Sequence, residues 1–297
     1  MTNVARPFLK WVGGKTQLLD RIVPILPKRI RTYYEPFIGG GALFFTLAHL
    51  GQFQRAVIND WNGELVDTYK AIRDFPDDLI LRLGQLKAEY LKDPPGVFAL
   101  ERMKAPRDLS PIDRAARFIF LNKTGFNGLY RVNLKGVFNV PFGKHEDPPI
   151  LDEENIRACR KVLNHFVVIT NRDFAEAVED AQPGDCVYFD PPYVPANPTS
   201  SFTKYTKEGF GLEAQKRLAT TFRTLVDRGV AVIASNSDTP LVRELYDGFE
   251  LHEIQARRSI NSVGKKRGPV GELVIVGRQG TPLPSIPPPP PEASEPG

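Results

Sequence analysis

The chain has 297 residues, 41% hydrophobic, 25% charged and 10% aromatic, which suits one large domain or two small ones and excludes a disordered, collagen-like or disulfide-stapled chain. No run of about eighteen apolar residues is present to span a membrane, and the N-terminal stretch has no apolar leader pattern. The net charge of +4 is clustered: residues 99–145 hold nine Lys/Arg against three Asp/Glu, and residues 255–267 hold five basic residues and no acid. Such clusters are either solvated faces or the footprint of a polyanion partner.

Short apolar, β-branched runs predict buried strands at Tyr33–Phe37, Ala56–Asn59, Val167–Thr170, Val187–Phe189, Val230–Ser235 and Leu273–Val276. Helical patterns fall between them at Ala42–Leu50, Gly63–Arg73, Glu153–Asn164 and Glu213–Asp227. This alternation predicts an α/β fold with a doubly wound, mostly parallel sheet. The helix at 213–227 alternates charged and apolar residues and is assigned to packing alone. Residues 75–151 break the rhythm, with helical patterns at 77–91 and 111–121 followed by a loop-rich stretch, Asn122–Lys144, full of Gly, Asn and aromatic residues. They are expected to form an insertion between two parts of one domain, 1–74 and 152–280. From Thr281 onward eight of seventeen residues are proline, so 281–297 is expected to be an extended tail outside the fold. Cys159 and Cys186 form no CxxC, and His49, His145, His165 and His252 are scattered. Neither a disulfide framework nor a metal site is expected, and a reducing cytoplasm fits.

Three motifs carry chemistry. Glu35-Pro36-Phe37-Ile38-Gly39-Gly40-Gly41-Ala42-Leu43-Phe44 sits where a strand turns into a helix, and glycines there let a ligand approach the backbone. Asp60, 21 residues after Gly39 and at the end of the next strand, has the spacing of a carboxylate that reaches a ribose hydroxyl. Phe44 stands where a dinucleotide fingerprint needs its third glycine, which favours a nucleoside without a pyrophosphate; a plain tight turn remains open. Phe8-Leu9-Lys10-Trp11-Val12-Gly13-Gly14-Lys15-Thr16 offers the Gly-Lys-Thr of a phosphate-binding loop, but Leu9 occupies the first glycine position of that motif. A P-loop NTPase is therefore a weak alternative. Asp190-Pro191-Pro192-Tyr193 follows a buried strand directly and lies where open α/β sheets bind ligands. It suits methylation of an exocyclic amine, whose lone pair is delocalised into the base. A carboxylate and a carbonyl held by proline would accept the two amine hydrogens, and an aromatic ring would stack on a base that has left the helix. The strand before it offers no thiolate in the position that cytosine-C5 chemistry requires. On its own the tetrapeptide is also a plain Pro-Pro turn.

Together, Lys10–Lys15, Glu35–Gly41 and Asp190–Tyr193 resemble the motif set of the DNA adenine methyltransferase (Dam) family, N6-adenine-specific and with the alpha-type motif order. Two further stretches agree. Leu121–Arg131 with Phe138–Gly143 resembles the family's recognition hairpin, and Arg257–Ile260 with Gly271–Leu273 its C-terminal segment. The resemblance covers residues 6–278. It departs mildly in Phe126, where some relatives have tyrosine, and in Gly41-Ala42, where some have Gly-Ser.

The resemblance implies a Rossmann-like methyltransferase with a seven-stranded sheet. Residues 1–74 and 152–280 would bind S-adenosylmethionine, and 75–151 would recognise the DNA target. Trp11, Lys15, Asp60 and Asp190 would line the cofactor site, Phe37, Gly39 and Gly41 would shape its floor, and Asp173 would lie near the cofactor adenine. Asp190 and the carbonyl of Pro191 would hold the target amine, with Pro192 and Tyr193 completing the catalytic tetrapeptide. Lys10, Leu129, Arg131 and Pro141 would read bases, while Phe126 and Asn127 would fill the gap left by a flipped adenine. Arg258, Lys265 and Lys266 are expected to touch phosphates. The implied reaction is methylation of adenine N6 in double-stranded DNA, within GATC, by a monomer that needs no metal. An RNA or protein amide methyltransferase is the same-chemistry alternative.

Overall fold

The computed structural model describes residues 4–133, 136–194, 210–256 and 270–278. Among them seven strands form one sheet: β1 Ile30–Glu35, β2 Phe53–Asn59, β3 Val167–Thr170, β4 Cys186–Phe189, β5 Ala231–Ser237, β6 Glu250–Ala256 and β7 Val270–Gly277. Their order is β3-β2-β1-β4-β5-β7-β6. The first five run parallel, and β7 lies antiparallel between β5 and β6. The chain winds outward from β1 to β3, then returns to place β4 beside β1, so the sheet reverses direction between β1 and β4. A ligand crevice is expected outside the carboxyl ends of those two strands.

The helices are α1 Leu19–Ile22, α2 Ala42–His49, α3 Gly63–Asp74, α4 Pro76–Lys92, α5 Pro94–Met103, α6 Pro111–Thr124, α7 Glu153–Val162, α8 Leu212–Asp227 and α9 Pro240–Leu245. Their starts follow local chemistry. Asn62, Asp93, Ser110, Asp152 and Thr239 each accept a backbone N–H in the first turn of the helix that follows them. α5 escapes the sequence pattern because Pro94-Pro95 looks like a break, yet proline is tolerated in a first turn, where its N–H is not needed. β6 escapes because four of its seven residues are polar, as befits an edge strand. β1 ends at Glu35, two residues earlier than the pattern predicts, because Pro36 has no N–H to continue the ladder.

Two buried clusters cover the two faces of the sheet. Tyr33, Tyr188, Ile233, Val274 and Val276 belong to one; Tyr34, Val187, Phe189, Val232, Leu273 and Ile275 belong to the other. Adjacent residues alternate between clusters, as the two-residue strand period requires. The first cluster also takes in Leu79, Leu83, Leu86, Tyr90, Phe118, Phe120, Phe138 and Ile150. The apolar faces of α4 and α6 therefore extend the core of the sheet. Cys159 and Cys186 are buried thiols within this cluster. Among the described residues no helix is long and apolar enough to cross a membrane.

Candidate active site

A cavity of about 1320 Å³ opens at the carboxyl ends of β1, β2 and β4. Its floor is the turn between β1 and α2. Gly39 and Gly41 take left-handed φ values of 47° and 71°, a conformation that side chains resist. A Cβ at Gly39 would come within 2.7 Å of the Trp11 ring, and one at Gly41 within 2.7 Å of the Tyr69 hydroxyl. Asp60 holds this turn by accepting the Gly39 N–H at 3.1 Å and the Asn62 N–H at 2.9 Å. Burial pushes its carboxyl above the ordinary range, and those two backbone bonds pull it back. Behind it, buried Asn59 ties three strand ends together. Its amide donates to the carbonyls of Pro36 and Arg172, and its oxygen accepts from the Thr170 hydroxyl and the Arg172 N–H.

One wall is aromatic. Phe37, Phe174 and Phe210 lie with ring centroids 5.4–5.6 Å apart. Asp173 accepts the Ala175 N–H at 3.0 Å and is ion-paired to Arg217, whose guanidinium lies 4.5 Å from the Phe174 ring centre. Trp11 stacks on Tyr130, at 6.2 Å and 18°.

A second cluster of charges surrounds the tetrapeptide. Lys15 Nζ is 2.8 Å from Asp190 Oδ1 and 3.3 Å from Glu272 Oε1, and lies 4.5 Å from the Tyr193 ring centre. The Tyr193 hydroxyl donates to Glu272. Burial alone would lower the Lys15 ammonium, but the charges of Asp190 and Glu272 outweigh it and hold Lys15 above its ordinary value. Burial raises the Asp190 carboxyl; Lys15 opposes that rise and Glu272 adds to it. Lys15 sits in a short turn, Lys15–Leu18, that no strand precedes, and its ammonium is committed to carboxylates. This is not the strand–loop–helix setting of an NTPase phosphate loop, and that alternative is set aside.

A family model described as D12 class N6 adenine-specific DNA methyltransferase matches residues 11–260. The chain belongs to this family. Similar proteins include "Type II methyltransferase M1.LlaDCHI" of Lactococcus lactis subsp. cremoris, 45% identical over 276 residues, with 91% of this chain and 94% of that protein covered. "Type II methyltransferase M.MjaIII" of Methanocaldococcus jannaschii is 42% identical over 285 residues, covering 91% of this chain and 98% of that one. "DNA adenine methylase" of Escherichia coli K12 is 36% identical over 280 residues, covering 94% and 98%.

In this DNA methyltransferase the residues expected at the cofactor, Trp11, Lys15, Phe37, Gly39, Gly41, Asp60, Asp173 and Asp190, all line one cavity with Pro191, Pro192 and Tyr193. The residues expected to read DNA gather on the neighbouring loops. Gly125 bridges to Phe142 and Val132 to Phe138 in antiparallel fashion, so the hairpin is held by isolated bridges rather than a full ladder. Phe126, 51% exposed, lies at the base of the hairpin beside the Gly125–Phe142 bridge, Asn127 follows at φ 57°, and the Pro141 carbonyl accepts the Phe126 N–H at 2.9 Å. Leu129 is half-buried, and exposed Arg131 donates to the Asn139 side-chain oxygen at 2.7 Å. Lys10 is exposed beside Gly128, where an added Cβ would come within 2.7 Å of its stem. Arg258, Lys265 and Lys266 lie outside the described residues.

Several site residues escaped the sequence reading. Glu272 was visible only within the Gly271–Leu273 part of the C-terminal segment, with no role assigned to it. The helix assigned to packing, α8, also reaches the tetrapeptide: buried Gln215 donates to the Pro192 carbonyl at 2.8 Å. Asn236 of β5 donates to Gln215 Oε1 at 3.1 Å and accepts the Val194 N–H at 3.2 Å. Ser237 donates to the Val194 carbonyl at 2.5 Å. The residues following Asp190 are thus braced by side chains from two other elements. The polar positions of α8 and β5 were the available signal, because buried polar groups need partners.

Proposed function

We propose that this methyltransferase transfers a methyl group from S-adenosylmethionine to N6 of an adenine turned out of duplex DNA, within GATC. The observation that carries the reading is Asp190: a carboxylate fixed at the carboxyl end of β4, lining a cavity and ion-paired to Lys15. The cavity fits the cofactor. Three aromatic rings offer an apolar slot for a purine, Asp60 supplies a carboxylate at ribose spacing, and Gly39 leaves room that a side chain would take from Trp11. S-adenosylmethionine, when bound, supplies a methyl group already activated on a sulfonium.

The protein's part is to make a poor nucleophile better. Asp190 and the Pro191 carbonyl accept the two hydrogens of the adenine amine, which draws its lone pair out of conjugation with the ring. Proline fixes the carbonyl direction, and Gln215 donates to the neighbouring Pro192 carbonyl. Tyr193 stacks on the extruded base. Residues 1–74 and 152–280 form the catalytic part and 75–151 the target-recognition part. Lys10, Leu129, Arg131 and Pro141 read base edges, with Arg131 suited to guanine O6 and N7. Phe126 and Asn127 occupy the space the adenine leaves. The GATC assignment rests on the likeness of the recognition hairpin to that of GATC-reading members. The protein acts as a monomer.

Labelled methyl transfer tests this. With radiolabelled S-adenosylmethionine and equal amounts of duplex DNA, RNA and protein, the label should enter DNA and co-elute with N6-methyladenine after hydrolysis. The product should also resist an endonuclease blocked by methylation at GATC. Label in RNA or protein, or DNA still cleaved at GATC, contradicts the proposal.

A further inference from the structure

β7 brings a second carboxylate to the tetrapeptide. Glu272 faces Ser237 of β5 in the sheet register and is 7% exposed. It shares the Lys15 ammonium with Asp190, at 3.3 and 2.8 Å, and accepts the Tyr193 hydroxyl. Stability alone does not require this. Lys15 already has a partner in Asp190, and a second buried carboxylate beside the first adds repulsion and desolvation. By formal charge the pair Lys15–Asp190 is neutral, and Glu272 adds one negative charge to the row.

That excess matches the chemistry. The amine lone pair forms the new N–C bond while the pair of the old S–C bond leaves with sulfur. The amine nitrogen then carries the positive charge until one of its hydrogens departs to solvent as a proton. Fixed negative charge beside that nitrogen favours the transition state over the ground state.

We propose that Glu272 is a positioning residue for methyl transfer. By taking a share of Lys15 it keeps Asp190 a strong acceptor toward the target amine, and by receiving the Tyr193 hydroxyl it sets the orientation of the stacking ring. This rests on the adenine-methylation reading above. The groups that face Asp190 are Lys15 from the turn before α1, Glu272 from β7, Glu35 from β1, Tyr188 from β4 and Tyr193 beyond it. Of the two carboxylates, Glu272 is the one in contact with Lys15.

Glu272→Gln keeps an oxygen for Tyr193 and Lys15 and removes only the charge. Two measurements on wild type and variant test the proposal. The first is a carboxyl-carbon NMR titration of aspartate-labelled protein without DNA or cofactor, with the Asp190 signal identified by its loss in Asp190→Asn. The Asp190 midpoint should move to lower pH in Glu272→Gln, because a repulsive neighbour is gone and the Lys15 charge then faces no competing carboxylate charge. Glu272→Asp, which keeps the charge, should restore it toward the wild-type position. The second is steady-state methylation, in which kcat should fall roughly tenfold to a hundredfold with KM for DNA little changed. An unmoved Asp190 midpoint in Glu272→Gln overturns the proposal, as does kcat within twofold of wild type. A loss of kcat that Glu272→Asp does not recover overturns it as well, since that marks a purely structural role. If wild type itself leaves DNA unmethylated, the reading of function fails instead, and the NMR titration still decides the electrostatic claim.

Discussion

At the scale of single residues, the site is made of charges whose burial has consequences away from catalysis. Glu35 is 3% exposed and accepts the Tyr33 hydroxyl at 2.8 Å. Burial raises its carboxyl well above the ordinary value, and the Tyr33 bond only partly opposes this. A carboxyl raised in the folded state contributes its stability fully below its unfolded pKa and loses it as pH rises through the folded one, by up to about 1.4 kcal/mol per pH unit. Glu35→Gln keeps an acceptor for Tyr33 and cannot ionise. The Tm difference, variant minus wild type, should therefore grow more positive as pH rises above the ordinary carboxylate range. A difference that stays constant from pH 5 to pH 8 contradicts this. The residues legible in the sequence, Lys15, Asp60, Asp190 and Tyr193, sit in contiguous motifs at strand ends. The roles of Glu272 and Asn236 were not legible, because they reach Tyr193 and Val194 from 79 and 42 residues further along the chain. Only the sheet order brings them there.

At the scale of elements, a buried side chain of α6 helps tie the segment that follows it to the loop around Lys10. Asn122 of α6 is buried; it accepts the Lys10 N–H at 3.0 Å and donates to the carbonyls of Lys10 and Gly128, both at 2.8 Å. Asn122→Ala leaves these three backbone groups without that partner; at ~1–3 kcal/mol for each buried group left unsatisfied, the cost is about 3 kcal/mol or more. Urea unfolding should show the midpoint falling by that free energy divided by an unchanged m-value; a loss below about 0.5 kcal/mol, the scale of an ordinary surface substitution, makes the staple incidental. The parallel strands and most helices were legible from their periodicity. β6 and α5 were not, since an edge strand may carry polar residues on an exposed side and α5 begins on two prolines that Asp93 caps. α8 was legible as a helix but not as a brace, because its buried Gln215 looks like any surface glutamine until Pro192 is placed beside it.

At the scale of the whole molecule, the inserted segment and the sheet share a core. Leu83, Tyr90, Phe118 and Phe138 lie in the same buried cluster as Tyr33, Phe44 and Ile58, so removing either part would expose apolar surface of the other. Unfolding should be cooperative across both. Hydrogen exchange in mild denaturant should give the slowest amides of α6 and β1 opening free energies that agree within about 1 kcal/mol, on a global scale of about 5–15 kcal/mol. A separate, lower plateau for α4–α6 contradicts a shared core. This shared core is also what holds Lys10, Trp11 and the hairpin at a fixed distance from Asp190, and the account of function depends most on that carboxylate. The direct test is the single-turnover rate of methyl transfer to a GATC duplex by Asp190→Ala, with cofactor and DNA saturating. Loss of a positioned acceptor should slow the chemical step by on the order of 10²–10⁴, while the variant stays folded by circular dichroism. A rate within a few-fold of wild type would contradict the role given to Asp190 and, with it, the mechanism.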